Sequence, residues 1–196
     1  MTQVTVVDHP LVKHHLARLR SRDTKVAEFR ALVQRLAVLL AYEATKDLSV
    51  IDAEVQTPLT TTMGQRLDSR IGLVPILRAG LGMVDPVLDL IPDAEVWHLG
   101  LYRDEATAQP VEYYSKLPSA DPVDVGFVVD PMLATGGSAA LALAALESWG
   151  VPSLKLLSLI AAPEGIAALE QQFPDAQIYV CAIDDHLNDQ KFIVPG

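Results

Sequence analysis

Apolar positions along this chain follow two different periods. From Asp23 onward Val26, Phe29, Leu32, Val33, Leu36, Leu39 and Leu40 recur at threes and fours, the stripe of a long helix that continues through residues 41–45. Short runs at 70–76, 95–102, 125–129, 154–161 and 177–183 lack that period and read as strands, the first of them broken by Pro75. Helical patterns lie between them at 83–90, 141–149 and 163–173, and another helix starts near residue 8, with Asp8 as its cap and Pro10 in its first turn. Residues 54–59 alternate weakly and read as an edge strand. Strands and helices taking turns predict an α/β fold: one domain over 1–196, with a mostly parallel twisted sheet and helices on both faces. In such a fold the ligand crevice lies at the carboxyl ends of the strands.

The most informative stretch joins the run at 125–129 to the helix after it: Asp130-Pro131-Met132-Leu133-Ala134-Thr135-Gly136-Gly137-Ser138. Asp130 closes the strand, and residues 135–138 stand where the helix must begin. Two glycines let the backbone turn tightly and approach a ligand, while Thr135 and Ser138 add hydroxyls beside the free amides of a helix start. That describes a phosphate cradle with a carboxylate on its rim. An acid facing a phosphate would repel it, so Asp130 is assigned to sugar hydroxyls and the loop to a 5′-phosphate, together a ribose phosphate. Residues 135–138 alone would equally suit an ordinary capped helix; the strand and the acid in register tip the reading. Other motifs fail. There is no Gly-Lys pair for a Walker loop, Asp85 occupies the third glycine position after Gly80-Leu81-Gly82, and Ala140 stands where a nucleophile elbow needs glycine.

Two further loops follow strands. Leu77-Arg78-Ala79-Gly80-Leu81-Gly82 offers a guanidinium fork and glycine-freed amides, a combination suited to pyrophosphate, although alone it would pass for a surface turn. Arg103 opens a polar stretch running to Lys116, with the composition of a mobile active-site arm or of an idle hairpin. Adjacent His14 and His15 do not share a helix face, and Asp184, Asp185 and His186 read as a solvated loop, so no side chain is assigned to a metal.

Composition narrows the class. The chain has 196 residues, half of them apolar, and a net charge of −10, which argues for one good core and against a nucleic-acid surface built on clustered Lys and Arg. The single Cys181 sits in an apolar run and is expected to be a core residue in a reducing, cytoplasmic setting. No run approaches the about 18 to 20 apolar residues of a membrane span, and the first residues lack a signal-peptide pattern.

With these residues in hand, nearly the whole chain resembles the uracil phosphoribosyltransferases, a branch of the type I phosphoribosyltransferases. Residues 130–138 resemble that family's phosphoribosyl pyrophosphate (PRPP) motif, and Ile76-Leu77-Arg78-Ala79-Gly80 its pyrophosphate loop. His9-Pro10-Leu11-Val12, Tyr42-Glu43-Ala44-Thr45, Tyr102-Arg103-Asp104 and Ile193-Val194-Pro195-Gly196 resemble its other landmarks.

The resemblance implies a type I-like fold with N-terminal helices and a flexible β-arm at 103–116. It implies transfer of ribose 5-phosphate from PRPP to N1 of uracil, giving UMP and diphosphate, with Mg2+ carried mainly by the donor. Carried over by position, the PRPP-binding residues are Arg78, Arg103, Asp130, Pro131, Met132, Leu133, Ala134, Thr135, Gly136, Gly137 and Ser138, with Arg103 and Asp130 catalytic. The Ile193 backbone would read uracil. A homodimer or larger homo-oligomer is implied, without nucleic-acid or membrane partners; some members are regulated by GTP, and the resemblance leaves open whether this chain is. Other branches carry two acids where this chain has Asp130-Pro131, so one carboxylate remains for the ribose. The family pattern also continues past Pro-Gly with a Gly-Asp-Ala segment that contacts uracil, so part of the base subsite is expected to lie beyond Gly196. Two rivals share the fold: a nucleotide- and RNA-binding regulator, which the acidity opposes, and an enzyme acting on a purine or orotate.

Overall fold

The computed structural model describes residues 3–103, 110–115, 117–118 and 120–196, and of 101–103 and 110–115 the backbone alone. In chain order the elements are β1 (Gln3–Val6), α1 (Pro10–Leu19), α2 (Val26–Ala44), β2 (Val50–Gln56), β3 (Thr61–Leu67), β4 (Ile71–Leu77), a 3-10 turn (Ala79–Met83), α3 (Val84–Leu90), β5 (Glu95–Val96), β6 (Leu99–Arg103) and β7 (Pro110–Ser115). They continue with β8 (Val125–Val129), β9 (Met132–Leu133), α4 (Gly137–Trp149), β10 (Ser153–Ala161), α5 (Pro163–Gln172), β11 (Gln177–Ile183), β12 (His186–Leu187) and β13 (Ile193–Val194).

Among the described residues one sheet runs β1-β11-β10-β8-β4-β6-β7, with β5 beside β4 and β9 beside β10. Its pairings are parallel apart from β6 with β7. The alternation of each strand sorts the core into two layers. Leu73, Phe127, Val129, Leu157 and Leu159 face α1, α2 and α3, whereas Val74, Val128, Leu156 and Val180 face α4 and α5. On α2 the stripe Leu32, Leu36 and Leu40 is wholly buried, each side chain worth about 1.5–3 kcal/mol in apolar surface withdrawn from water. No helix among the described residues is long and apolar enough to cross a membrane.

Several local expectations are corrected. The cap of α1 is His9, whose ring Nδ1 accepts from the Leu11 amide at 3.1 Å; Asp8 lies one residue too early and pairs with Lys13 instead. Pro75 does not break β4, which runs through it and pairs with Val129; the strands on its other side are interrupted between Val96 and Leu99. That interruption also splits the strand expected at 95–102 in two. The weak alternation at 54–59 belongs to β2, which is no edge of the main sheet but half of a separate antiparallel ribbon with β3. Val50, Leu59 and Met63 lie exposed on this ribbon. Asp184 is not solvated: it is 6% exposed and takes Arg20 through both oxygens. Near the end of the chain Ile193 pairs with Leu187 in a short antiparallel ladder.

One buried polar cluster lies at the opposite end of the sheet from the crevice. Lys155, 1% exposed, donates to the Ala44 carbonyl at 2.7 Å and to the Asp47 carboxylate. Its ammonium also lies 5.7 and 5.8 Å from the ring centres of Phe127 and Tyr179. Gln177 bridges Asp47 and the Tyr179 hydroxyl, so one cation ties the end of α2 to two strands. Cys181 is buried, and burial pushes its thiol up to about 12, which leaves it inert as a nucleophile.

Candidate active site

The carboxyl ends of the central strands bring the two glycine loops together. β4 and β8 are neighbours in register, Pro75 opposite Val129, so Arg78 and Asp130 leave the sheet at the same edge. The loops touch at Gly80, where a Cβ would lie 2.4 Å from the Val129 carbonyl; only glycine permits that approach. Arg78 is exposed, and among the described residues no carboxylate pairs with its guanidinium. β6 lies beside β4, with Gly100 opposite Leu77, which brings the strand ending in Arg103 to the same edge. The Arg103 side chain and residues 104–109 and 116, most of the expected arm, lie outside the described residues.

Asp130 through Ser138, Pro131 aside, line a pocket of about 110 Å³, together with Ala139 and Ser158. Helix α4 begins there with Gly136 as N-cap at φ 84°; no side chain caps it and its first turn holds no acid. The free amides of such a start attract an anion, and Thr135 and Ser138 add hydroxyls. The loop is held from behind by α5. A Cβ on Gly165 would come within 2.3 Å of the Ala134 carbonyl, and the Gly165 carbonyl in turn closes on Gly136. Gly165 carries no motif and was missed in the sequence; its signal, a glycine in the first turn of a helix, is too common to single out.

Burial pushes the Asp130 carboxyl up to about 7, and the Met132 amide opposes this by hydrogen bonding to it. A raised carboxyl holds its proton in the fold between about 4 and 7 where the unfolded chain has lost it, so this group's contribution to stability declines as pH rises through that window. Sugar hydroxyls, the partners the sequence reading expects for Asp130, would donate to the ionised form. Donor affinity is therefore expected to rise between pH 6 and 8 and then level off, while Asp130→Asn binds about 10- to 100-fold more weakly and follows only the donor's own phosphate titration. Calorimetric titration of PRPP at pH 6, 7 and 8 checks this, and a parallel slope in both proteins would remove Asp130 from the donor site.

A second, apolar cavity of about 580 Å³ opens beside the loops, lined by Leu16, Phe29, Val33, Leu81, Met132 and Gly196 among others. Gly196 is fixed at its edge, its amide donating to Asp184 and its carbonyl accepting from Arg20. The Ile193 backbone is thus anchored near the crevice through β13 and Gly196. His9, His14 and His15 stay on the first helix; His9 serves as a cap, and the rings of His14 and His15 meet edge to face.

Comparison with known proteins places this geometry in context. The family model described as uracil phosphoribosyltransferase matches residues 6–196. A uracil phosphoribosyltransferase of Roseiflexus sp. (strain RS-1) is 58% identical over 196 residues, covering 100% of this chain and 94% of the relative. One from Alkaliphilus oremlandii (strain OhILAs) is 51% identical over 197 residues with the same coverage. The AQ2163 protein from Aquifex aeolicus superimposes with a TM-score of 0.94 at 36% identity, over 99% of this chain and 93% of its own. At the level of fold alone, adenine phosphoribosyl transferase from Trypanosoma brucei gives a TM-score of 0.61 at 9% identity, over 97% of this chain and 87% of its own.

Proposed function

The chain belongs to the uracil phosphoribosyltransferase family, and from that premise we propose that residues 130–138 and Arg78 hold the donor while Arg103 completes the site from the end of β6. The enzyme is a pentosyltransferase: it moves ribose 5-phosphate from PRPP to uracil, yielding UMP and diphosphate in pyrimidine salvage. The observation that carries the assignment of residues is the convergence of the Arg78 loop and the Asp130 loop at one sheet edge, in contact at Gly80.

Each group then has one task. The first-turn amides of α4, with Thr135 and Ser138, take the 5′-phosphate. Asp130 accepts from the ribose hydroxyls and fixes C1 for attack. Arg78 and Arg103 hold the diphosphate, where charge grows as the bond to C1 breaks and the ribose takes on oxocarbenium character. Uracil is read by main-chain groups around Ile193, a pattern of two carbonyls and one N–H that needs no charged side chain.

A magnesium ion fits this site as a passenger on the donor. Among the described residues Asp130 is the one carboxylate lining the phosphate pocket and no group of three His, Cys, Asp or Glu gathers, a donor set suited to an ion that keeps its waters and binds diphosphate oxygens. Bound there, it would neutralise the departing diphosphate. The whole of 1–196 acts as one domain in this reading, and the lone buried thiol of Cys181 supports a reducing, cytoplasmic setting. A homodimer or larger assembly is supported by the ribbon β2–β3, because an isolated two-stranded ribbon is marginal in water and this one exposes Leu59 and Met63.

Supplied with PRPP, magnesium and a panel of uracil, orotate, hypoxanthine and adenine, the enzyme is expected to release diphosphate with uracil at least about 100-fold faster than with any other base. Comparable release with a purine would overturn the uracil assignment.

A further inference from the structure

Three buried side-chain atoms find no hydrogen-bond partner among the described residues: His15 Nδ1, Trp97 Nε1 and Ser158 Oγ. Only Ser158 also lines the phosphate pocket. Its residue is 0% exposed, in the middle of β10, where strand side chains are otherwise Leu, Ile or Ala from Leu156 to Ala161. A hydroxyl shut away from water without a partner is costly, so its presence calls for a partner that arrives later.

The register identifies that partner. β10 lies beside β8 with Leu157 opposite Val129, which places Ser158 next to Asp130 on adjacent strands. The Asp130 amide donates to the Leu157 carbonyl at 3.2 Å and the Leu159 amide to the Pro131 carbonyl at 3.0 Å, so the two backbones remain joined on either side of the pair. By strand alternation Ser158 and Asp130 follow Leu156 and Val128 onto the same face, the one covered by α4. The first turn of α4 brings no charged side chain, the neighbouring β11 position is Val180, and Lys155 lies with Phe127 and Tyr179 on the opposite face. An ionised Asp130 therefore has the Met132 amide as its protein donor, and the Ser158 hydroxyl, lining the same pocket without a partner, is available as another.

We propose that Ser158 is a positioning residue of the donor subsite: once a ribose phosphate fills the crevice, its hydroxyl donates to the Asp130 carboxylate and aims that carboxylate at the sugar hydroxyls. This rests on the assignment of Asp130 to the donor sugar. Before the donor binds, the hydroxyl is held in reserve at a cost to the fold. In this role Ser158 works through Asp130.

The test is the variant Ser158→Ala, with Ser158→Cys as the same shape carrying a weak donor. Ser158→Ala is expected to keep or slightly raise the urea midpoint, since it deletes an unsatisfied group, and to raise the KM for PRPP about 5- to 20-fold with the KM for uracil unchanged. The pH at which donor affinity reaches half its maximum should stay where it is, because the hydroxyl engages Asp130 only in the donor complex, and Ser158→Cys should fall between wild type and Ala in its KM for PRPP. In the Asp130→Asn background the Ala change should add nothing, because the two residues act as one unit. An unchanged PRPP affinity in Ser158→Ala would overturn the proposal, as would equal losses for both substrates with a lowered urea midpoint. If Asp130→Asn leaves donor affinity intact, the donor-site assignment itself fails; if Asp130→Asn weakens the donor and Ser158→Ala does not, only the role of Ser158 falls.

Discussion

Gly165→Ala is expected to cost the enzyme about 100-fold or more in kcat/KM for PRPP while leaving it folded. The added methyl would lie 2.3 Å from the Ala134 carbonyl and 3.1 Å from Leu133 Cγ, well inside contact distance. Backbone cannot step aside as a flexible side chain does, so either α5 retreats or residues 133–136 move into the phosphate pocket. Retreat is resisted because Ile166 and Leu169, on the same helix, are packed in the core. The expected outcome is that residues 134–136, past the end of β9, give way into the pocket, and a displacement of about 1 Å at a phosphate subsite is enough for a loss of this size. Steady-state kinetics with each substrate varied in turn checks it: the KM for PRPP should rise while the KM for uracil stays within about 2-fold. Near-normal PRPP kinetics would show that α5 yields and that the loop is not braced from behind.

Lys155→Ala should produce the largest loss of stability among single changes outside the crevice, about 2–4 kcal/mol. The variant removes a fully buried stem and leaves the Ala44 carbonyl, at the last turn of α2, without its donor. Asp47 is about half exposed and can turn to water, which keeps the loss below that of a sealed ion pair. Lys155→Met, which keeps most of the stem, should recover part of the loss. Urea unfolding should show a lower midpoint with an unchanged slope, and KM values for both substrates should hold, because the cluster lies at the far end of the sheet. A midpoint within error of wild type would mean that the cluster contributes nothing net.

These two residues also mark the limit of what the sequence discloses. The loop proposed to hold the donor is legible because its parts are contiguous: strand, acid, glycines, hydroxyls and helix follow one another over residues 125–149, and each has a local physical reason for its place. Gly165 and Ser158 border the same pocket from α5 and β10, and nothing near them in sequence says so. Asp184 reads as solvated because its neighbours are polar, yet its partner Arg20 is 164 positions away. Lys155 is the same case: a lysine in a strand pattern looks like a solvent-facing position until two rings and a helix end close over it. The ribbon β2–β3 escaped because neither of its faces is buried against the core, so the period-two signal of a half-buried strand is absent. His9 shows a smaller failure, a cap chosen by residue type when ring geometry one position later prevails.

Helix α4 opens on Gly136 without a side-chain cap and without an acid in its first turn. A helix start lacking its cap forgoes about 1 kcal/mol, and a bound phosphate supplies what the cap would. Ligand that binds only the folded chain shifts the folding equilibrium by mass action, in proportion to the logarithm of its concentration over its dissociation constant. With the donor's 5′-phosphate at this helix start, as proposed, the working lifetime of the enzyme would be coupled to metabolic supply: plentiful donor would make the protein resist opening and proteolysis, and its exhaustion would leave the same chain easier to clear.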